Sequence, residues 1–409
     1  MRILLVTQYF YPENFKSNDL AFELSKRGES VDAMVGIPNY PEGVYFKGYG
    51  IFRKRHEVIN GVNIYRVFQT PRGRKASAIG LSLNYLSFVF SGLVRVFFQF
   101  LWKRKYDAII VYEPSPITQM IPAIILGKLT HVKVFSWVTD IWPDSVIHSI
   151  GPQKAARIVR PLNYITNWVY KHSDTLLISS KRMKELINRD ADYSDKIVYY
   201  PHWCDDMLKM PVDNDIPSLP KGFIIMMAGN INSGIGIEGI IECMSLLRDI
   251  DDLHFVFIGG GTLEHEFKEK IVKYGLRNVH VLGRFPFSKM PAFYEKADAM
   301  FLSLEKTKLP HLRATVPSRM QSYMSAGKPI LAMIDGAAAE IIEEANCGYA
   351  VPAGDAKGLS DYIRNCLLLD KDSFRQKGCN ARIYFEEHFL LEKCIDNLYE
   401  IINTEKNNK

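Results

Sequence analysis

The sequence predicts an α/β protein made of two doubly wound domains. Three observations carry this. The chain has 409 residues, too many for one ordinary core and enough for two. It opens with a strand–loop–helix–strand pattern. After a proline-rich break the same pattern starts again.

Ile3 to Thr7 is a short apolar run closed by Tyr11-Pro12, and it reads as the first strand. It has no small-residue cleavage site, so a signal peptide is not expected and a cytoplasmic location is. Asp19 to Gly28 has helical spacing with Gly28 as its stop, and Val31 to Val35 is the next strand. Doubly wound sheets bind ligands beyond the carboxyl ends of their strands. The loop Gln8 to Asn18, with Glu13 in it, is therefore a candidate site wall. Asn39-Tyr40-Pro41-Glu42-Gly43 reads as a turn and Val62 to Val67 as a half-exposed strand. Asp107 to Tyr112 and Val132 to Val138 are strands around an apolar helix from Pro116 to Thr130. That order sets Asp140 at a strand's carboxyl end. Thr175 to Ser179 and Ile197 to Tyr200 complete this half.

Leu81 to Trp102 is apolar over a length that could cross a bilayer, with Arg72, Arg74 and Lys75 before it and Lys103-Arg104-Lys105 after it. Asn84, Arg95 and Gln99 argue against a span. Two readings stay open: a helix lying in the membrane interface, or a helix packed on the sheet.

The first domain is placed at 1–202 and a linker at 203–220, where Pro211, Pro217 and Pro220 fall. The second domain takes 221–385. A final helix within 386–409 is expected to pack back on the first domain. In the second domain, Phe223 to Ala228 ends in a turn from Gly229 and Asn230 to Gly236. Leu253 to Ile258 ends in Gly259-Gly260-Gly261, and Val279 to Leu282 leads to Gly283-Arg284-Phe285. Two further strands, Ala299 to Leu304 and Pro329 to Met333, bracket one helix. Its first turn takes Pro317, Ser318 and Arg319, and Gly327 ends it. Free N–H groups, a hydroxyl and a guanidinium at a helix start suit an anion such as a diphosphate.

Hydrophobic residues make up 47% and charged ones 23%, which fits a folded soluble class. The net charge of +6 suits an anionic substrate or membrane surface and is too mild to argue nucleic acid. Six cysteines form no CxxC pair, so a reducing compartment and no structural zinc are expected. Asp190-Ala191-Asp192 and Asp213-Asn214-Asp215 follow no apolar strand and read as solvated acids. No metal and no cofactor are expected.

Together, Tyr11-Pro12-Glu13, Asn39-Tyr40-Pro41, Asp140-Ile141-Trp142-Pro143-Asp144, Gly229-Asn230, Gly283-Arg284, Pro317-Ser318-Arg319 and Ala326-Gly327-Lys328-Pro329 resemble the retaining glycosyltransferases of the GT-B fold, family 4. The resemblance covers nearly the whole chain. The Asn-Tyr-Pro and Asp-Ile-Trp-Pro-Asp words are similar to a subgroup from bacterial capsule and O-antigen loci that includes N-acetyl-L-fucosamine transferases.

The resemblance implies two Rossmann-like domains facing a cleft and sugar transfer without metal. It implies a UDP-sugar donor in the second domain and an undecaprenyl-diphosphate-linked saccharide acceptor on the first. It also implies peripheral contact with the inner face of the plasma membrane, through residues 72–105. Arg284 and Phe285 would lie by the base. Gly229, Asn230, Gly260, Pro317, Ser318 and Arg319 would lie by the diphosphate, and Asp140, or Glu13, would orient the acceptor hydroxyl. The sequence also departs from the family. Its paired glutamates fall on Ala314 and Ser322, which leaves Ser322 only a hydroxyl for the ribose. The usual lysine after the Gly-Asn turn is absent, with Lys306 or Arg313 as stand-ins, and Thr139 holds a usual histidine position. A nucleotide-sugar epimerase of the same shape and a non-catalytic sugar-nucleotide-binding subunit are the rival readings.

Overall fold

The computed structural model describes residues 1–75, 77–103 and 105–407. The chain separates into two compact units. One is Met1–His202 together with the chain from Ile395 on; the other is Trp203–Cys394.

The first unit holds an eight-stranded sheet: β1 (Arg2–Thr7), β2 (Ser30–Val35), β3 (His56–Ile59), β4 (Val62–Arg66), β5 (Ala108–Glu113), β6 (Val134–Val138), β7 (Thr175–Ile178) and β8 (Ile197–Tyr199). Their spatial order is β3-β4-β2-β1-β5-β6-β7-β8. All neighbours are parallel except β3 and β4. Helices cover both faces of such a sheet, which is why β1, β5 and β6 read as unbroken apolar runs. The direction of strand addition reverses between β1 and β5, and that reversal opens a crevice at their carboxyl ends.

β3 is absent from the sequence reading. His56-Glu57-Val58-Ile59 has no long apolar run, yet it folds against β4 through Asn60 and Gly61, both at positive φ. Pairing on both edges makes β4 mostly buried rather than half-exposed.

The apolar segment after Arg72 forms a helix over Ala78–Arg95, continued by a wider turn over Val96–Phe100. Ser77 caps it, accepting from Gly80 N–H at 3.2 Å. Asn84, Phe88, Gly92, Val96 and Phe100, four residues apart, form its buried stripe. Gly92 lies so near Pro122 that a Cβ would stand 3.0 Å from Cγ. The buried Asn84 accepts from Gln8 Nε2 at 2.5 Å and donates to Thr70 O. Arg95 reaches Gln99 Oε1 at 2.7 Å. The three polar residues that counted against a span are thus held within the unit. The opposite face is open: Phe90 is 73% exposed and Trp102 79%, with Ile79, Leu83, Leu86 and Phe98 alongside. By length and composition this is the one helix able to cross a membrane among the described residues. Of the closing basic run, Arg104 lies outside the described residues.

The second unit holds β9 (Phe223–Ala228), β10 (Leu253–Ile258), β11 (Val279–Gly283), β12 (Ala299–Ser303), β13 (Ile330–Met333) and β14 (Gly348–Val351). The order is β11-β10-β9-β12-β13-β14, all parallel, with the reversal between β9 and β12. Alternate residues of β9 feed two cores. Ile224, Met226 and Ala228 join Tyr323 and Phe385 on one face, while Phe223, Ile225 and Met227 join Phe255 and Phe267 on the other. Each such side chain contributes about 1.5–3 kcal/mol on full burial.

The stretch from Pro310 to Pro329 corrects the expectation of one helix. It holds two, Pro310–Arg313 and Ser318–Ser325, and Pro317 precedes the second in an extended conformation. A proline steers its predecessor, Val316, away from helical angles, so the chain breaks there and restarts at Ser318. The segment from 203 to 220 is largely irregular, and Met207 from it is buried in the second unit's core. Residues 386–388 belong to the helix Lys371–His388. The final helix, Leu391–Asn407, meets the first unit through Arg27 to Asp396 at 2.6 Å and Lys133 to Glu405 at 3.7 Å.

Candidate active site

In the second unit the crevice between β9 and β12 is built largely from backbone. β9 ends at Gly229, whose φ of 141° is open to glycine and strained for other residues. A Cβ there would stand 3.1 Å from Arg319 Cζ, so the guanidinium lies against this turn. At Gly259 a Cβ would come within 1.9 Å of Gly229 O, so the two glycine turns touch with no room for a side chain. The Tyr323 hydroxyl ties the strand to the Ser318–Ser325 helix. It accepts from Ala228 N–H at 3.0 Å and donates to Ala228 O at 2.9 Å. The helix thereby holds Arg319 over Gly229. Arg319 Nη1 is shielded from solvent and has no hydrogen-bond partner among the described residues. A shielded guanidinium nitrogen without a partner is costly unless an anion meets it. Beside it the helix start offers backbone N–H groups with no side-chain cap.

The other expected donor residues are placed unequally. Asn230 follows Gly229 on the surface. Arg284 is exposed beside Gly260 and Glu264. The half-buried Phe285 packs edge-on against Phe293 at 4.9 Å, so its ring is engaged with the core. Lys306 stands exposed in the loop after β12. Arg313 carries a shielded Nε with no partner among the described residues. Ser322 Oγ approaches Ser318 O at 3.5 Å and Cys204 Sγ at 3.2 Å. Ala314 is buried. Glu305, which the sequence reading passed over, lies near Gly236 at the same sheet reversal.

In the first unit the crevice is built from side chains. A pocket of about 570 Å³ gathers Tyr9, Tyr40, Arg72, Tyr85, Asp140 and Trp142. The Arg72 guanidinium lies 5.7 Å from the Tyr9 ring centre and 5.2 Å from that of Tyr40, and donates to the Tyr85 hydroxyl at 3.3 Å. Trp142 Nε1 donates to Ser115 Oγ at 3.0 Å. Asp140, half-buried in the pocket wall, accepts from Ser145 Oγ. Thr139 donates to Glu113 O at 2.6 Å, binding the ends of β5 and β6 together.

Glu13 departs from its expected role. Its Oε1 accepts from the N–H groups of Asn39 and Tyr40, each at 2.7 Å, and its Oε2 from Phe10 N–H at 3.2 Å. Burial pushes its carboxyl up to about 7, against the pull of those three donors. It is a buried brace for the Asn39-Tyr40-Pro41 turn and does not line the pocket. The sequence could not show this because the partners lie 26 and 27 residues away.

Glu113 is the acid the sequence reading missed. It closes β5 as Asp140 follows β6, and it is fully buried. Burial, then the charge of Asp140, holds its carboxyl well above the usual range, although the N–H groups of Ser115, Asp140 and Thr139 pull the other way. An acid ending an apolar run was the available signal. In the sequence Arg72 stands out only as part of a basic flank. Among the Asp-x-Asp acids, Asp190 accepts from Asn167, and Asp213 and Asp215 pair with Lys289 at 3.7 and 2.8 Å.

Residues 212–382 match the family model described as Glycosyl transferases group 1. The chain is 23% identical over 367 residues to the probable glycosyltransferase WbjE of Pseudomonas aeruginosa, covering 84% of this chain and 90% of that one. It is 21% identical over 324 residues to the putative colanic acid biosynthesis glycosyl transferase WcaI of Escherichia coli (strain K12), covering 74% and 75%. The crystal structure of Anabaena Alr3699/HepE in complex with UDP superposes with a TM-score of 0.67 at 13% identity, covering 99% of this chain and 100% of that one. By fold the chain is of the GT-B class, and over residues 212–382 it carries the signature of the glycosyl transferases of group 1.

Proposed function

We propose that this protein is a glycosyltransferase that moves a sugar from a nucleotide-sugar donor to a hydroxyl of a saccharide acceptor in bacterial polysaccharide synthesis. The observation that carries it is the unpaired Arg319 guanidinium held over the Gly229 turn at the reversal of the second sheet. The matched family segment and the naming of both relatives as glycosyltransferases support the same reading. They give no favour to an epimerase or to a non-catalytic subunit.

In this reading the donor is a UDP-sugar, in keeping with the UDP complex of the Anabaena protein, and N-acetyl-L-fucosamine is the sugar first to be tried. Departure of the nucleoside diphosphate develops negative charge. Arg319 and the N–H groups of its helix start stabilise that charge selectively in the transition state, a task a divalent metal performs in other designs. Asp140 orients the acceptor hydroxyl, and the anomeric configuration is retained. The acceptor is an undecaprenyl-diphosphate-linked saccharide at the inner face of the plasma membrane, for capsule or O-antigen. The open apolar face of the Ala78–Arg95 helix with its basic flanks suits that location.

The test is a thermal-shift series over UDP-sugars, followed by transfer of label into extractable lipid from bacterial membranes. A donor at a hundredfold its Kd stabilises by about 2.7 kcal/mol, so one sugar should raise Tm by several degrees and then label the lipid. If no nucleotide raises Tm, the reading is wrong.

A further inference from the structure

We propose that the first unit's pocket binds the diphosphate and first isoprene units of the acceptor lipid, with Arg72 on the diphosphate. This rests on the reading that the acceptor is a prenyl-diphosphate saccharide, and it names the site that recognises the lipid part.

Three independent features point to an amphiphile. First, the pocket is lined by two kinds of side chain. Its wall carries the polar Arg72, Thr118 and Asp140 and the apolar Leu81, Leu162 and Ile165. Its volume of about 570 Å³ falls within the range of ordinary small-molecule sites. Second, the pocket's cation has no acid partner of its own. The partners of Arg72 are the Tyr85 hydroxyl and the faces of Tyr9 and Tyr40, with no carboxylate among them, and its Nε has no hydrogen-bond partner among the described residues. Thr118 Oγ1 is likewise shielded and without a partner among the described residues. A guanidinium and a hydroxyl left so are matched by phosphate oxygens.

Third, the apolar part of the wall is continuous with a face suited to a bilayer. The Ala78–Arg95 and Val159–His172 helices both pack on the turn Ile117–Met120, and residues of each wall the pocket. Leu86 lines the pocket and also belongs to the open face that carries Phe90. Residues 43–105 hold twelve Lys and Arg against one acid, Glu57, so they carry +11 in a chain whose total is +6. A segment rich in Lys and Arg, an open apolar helix face and a pocket wall that joins leucines to an arginine fit a lipid whose head is a diphosphate.

The probe is farnesyl diphosphate, titrated into the full chain while tryptophan fluorescence is followed. Farnesol, inorganic pyrophosphate and phosphatidylglycerol vesicles are the comparison arms. Expected is saturable binding of farnesyl diphosphate, at least tenfold tighter than farnesol or pyrophosphate. Arg72→Ala should weaken it tenfold to a hundredfold, Arg72→Lys should restore part, and Leu162→Asp should weaken it as strongly as Arg72→Ala. All three variants should keep the wild-type Tm rise with UDP, which shows that they are folded. Equal binding by wild type and Arg72→Ala overturns the proposal. So does pyrophosphate matching farnesyl diphosphate, or phosphatidylglycerol vesicles displacing it, since these mark a bare phosphate site or a headgroup site. If wild type shows no Tm rise with UDP, the donor reading fails while the lipid result still stands, judged on folding by circular dichroism.

Discussion

The two units share the strand order of a six-stranded parallel core, β4-β2-β1-β5-β6-β7 in one and β11-β10-β9-β12-β13-β14 in the other, and build their crevices from opposite materials. In the second unit, Gly229 and Gly259 bring backbone against backbone, and a single side chain, Arg319, is laid over them. In the first unit, side chains from five separate segments, Tyr9, Tyr40, Arg72, Tyr85 and Trp142, enclose the space. The diphosphate is the same in every nucleoside diphosphate sugar, so N–H groups and one cation suffice for it. An acceptor varies in shape and apolarity, and only side chains can follow that variation. In the proposed function, the invariant half of the reaction falls to the glycine-built crevice and the variable half to the aromatic one.

Breaking the aromatic side should give the largest effect. Asp140→Asn is expected to lower turnover by about 10²–10⁴-fold, the span of a positioned acid–base group, while leaving the UDP-induced Tm rise intact. Turnover within threefold of wild type would remove Asp140 from the chemistry. On the glycine side, Arg319→Ala should cost about 10²–10³-fold in kcat and also abolish most of the UDP-induced Tm rise. Loss of one without the other would break the assignment of both effects to a single cation.

Stability distinguishes the two sides as well. Glu13 has a folded value of about 7, above the unfolded 4.5. Its contribution is full below about 4.5 and is lost as pH rises through 7, by up to about 3 kcal/mol. Urea midpoints at pH 5 and pH 8 should therefore differ more for wild type than for Glu13→Gln, and equal differences would contradict the buried brace. Tyr323→Phe leaves two backbone groups of Ala228 without the hydroxyl. It should cost about 1–3 kcal/mol and weaken UDP binding severalfold, read by denaturation and titration. Unchanged UDP affinity would show that Arg319 needs no such clamp.

The glycine side was also the more legible in the sequence. Gly229, Gly259 and Ser318-Arg319 each follow an apolar strand or open a helix, so local pattern located them. What the pattern lacked was the reason, the touching of two turns 30 residues apart. The aromatic side was scarcely legible. Tyr9, Tyr40, Arg72, Tyr85 and Trp142 are spread over 134 positions, and only the strand order brings them together. Glu13 was located and misassigned, because an acid's role depends on what faces it. β3 was missed because a four-residue strand held by a hairpin needs no apolar run. The apolar segment after Arg72 resisted a single reading because one face is buried and the other is open.

The amides around Asn84 carry a last consequence. Gln119 Oε1 accepts from Gln8 N–H at 2.7 Å, Gln8 Nε2 donates to Asn84, and Asn84 donates to Thr70 O. One residue of slippage would turn the helix by about 100° and strand Asn84, the Gln8 Nε2 and Thr70 O. The chain of amides therefore acts as a key that fixes the helix's angular setting. Phe90 and its neighbours can meet a surface in only one orientation, and that orientation is locked to the end of β1, where Tyr9 begins the pocket.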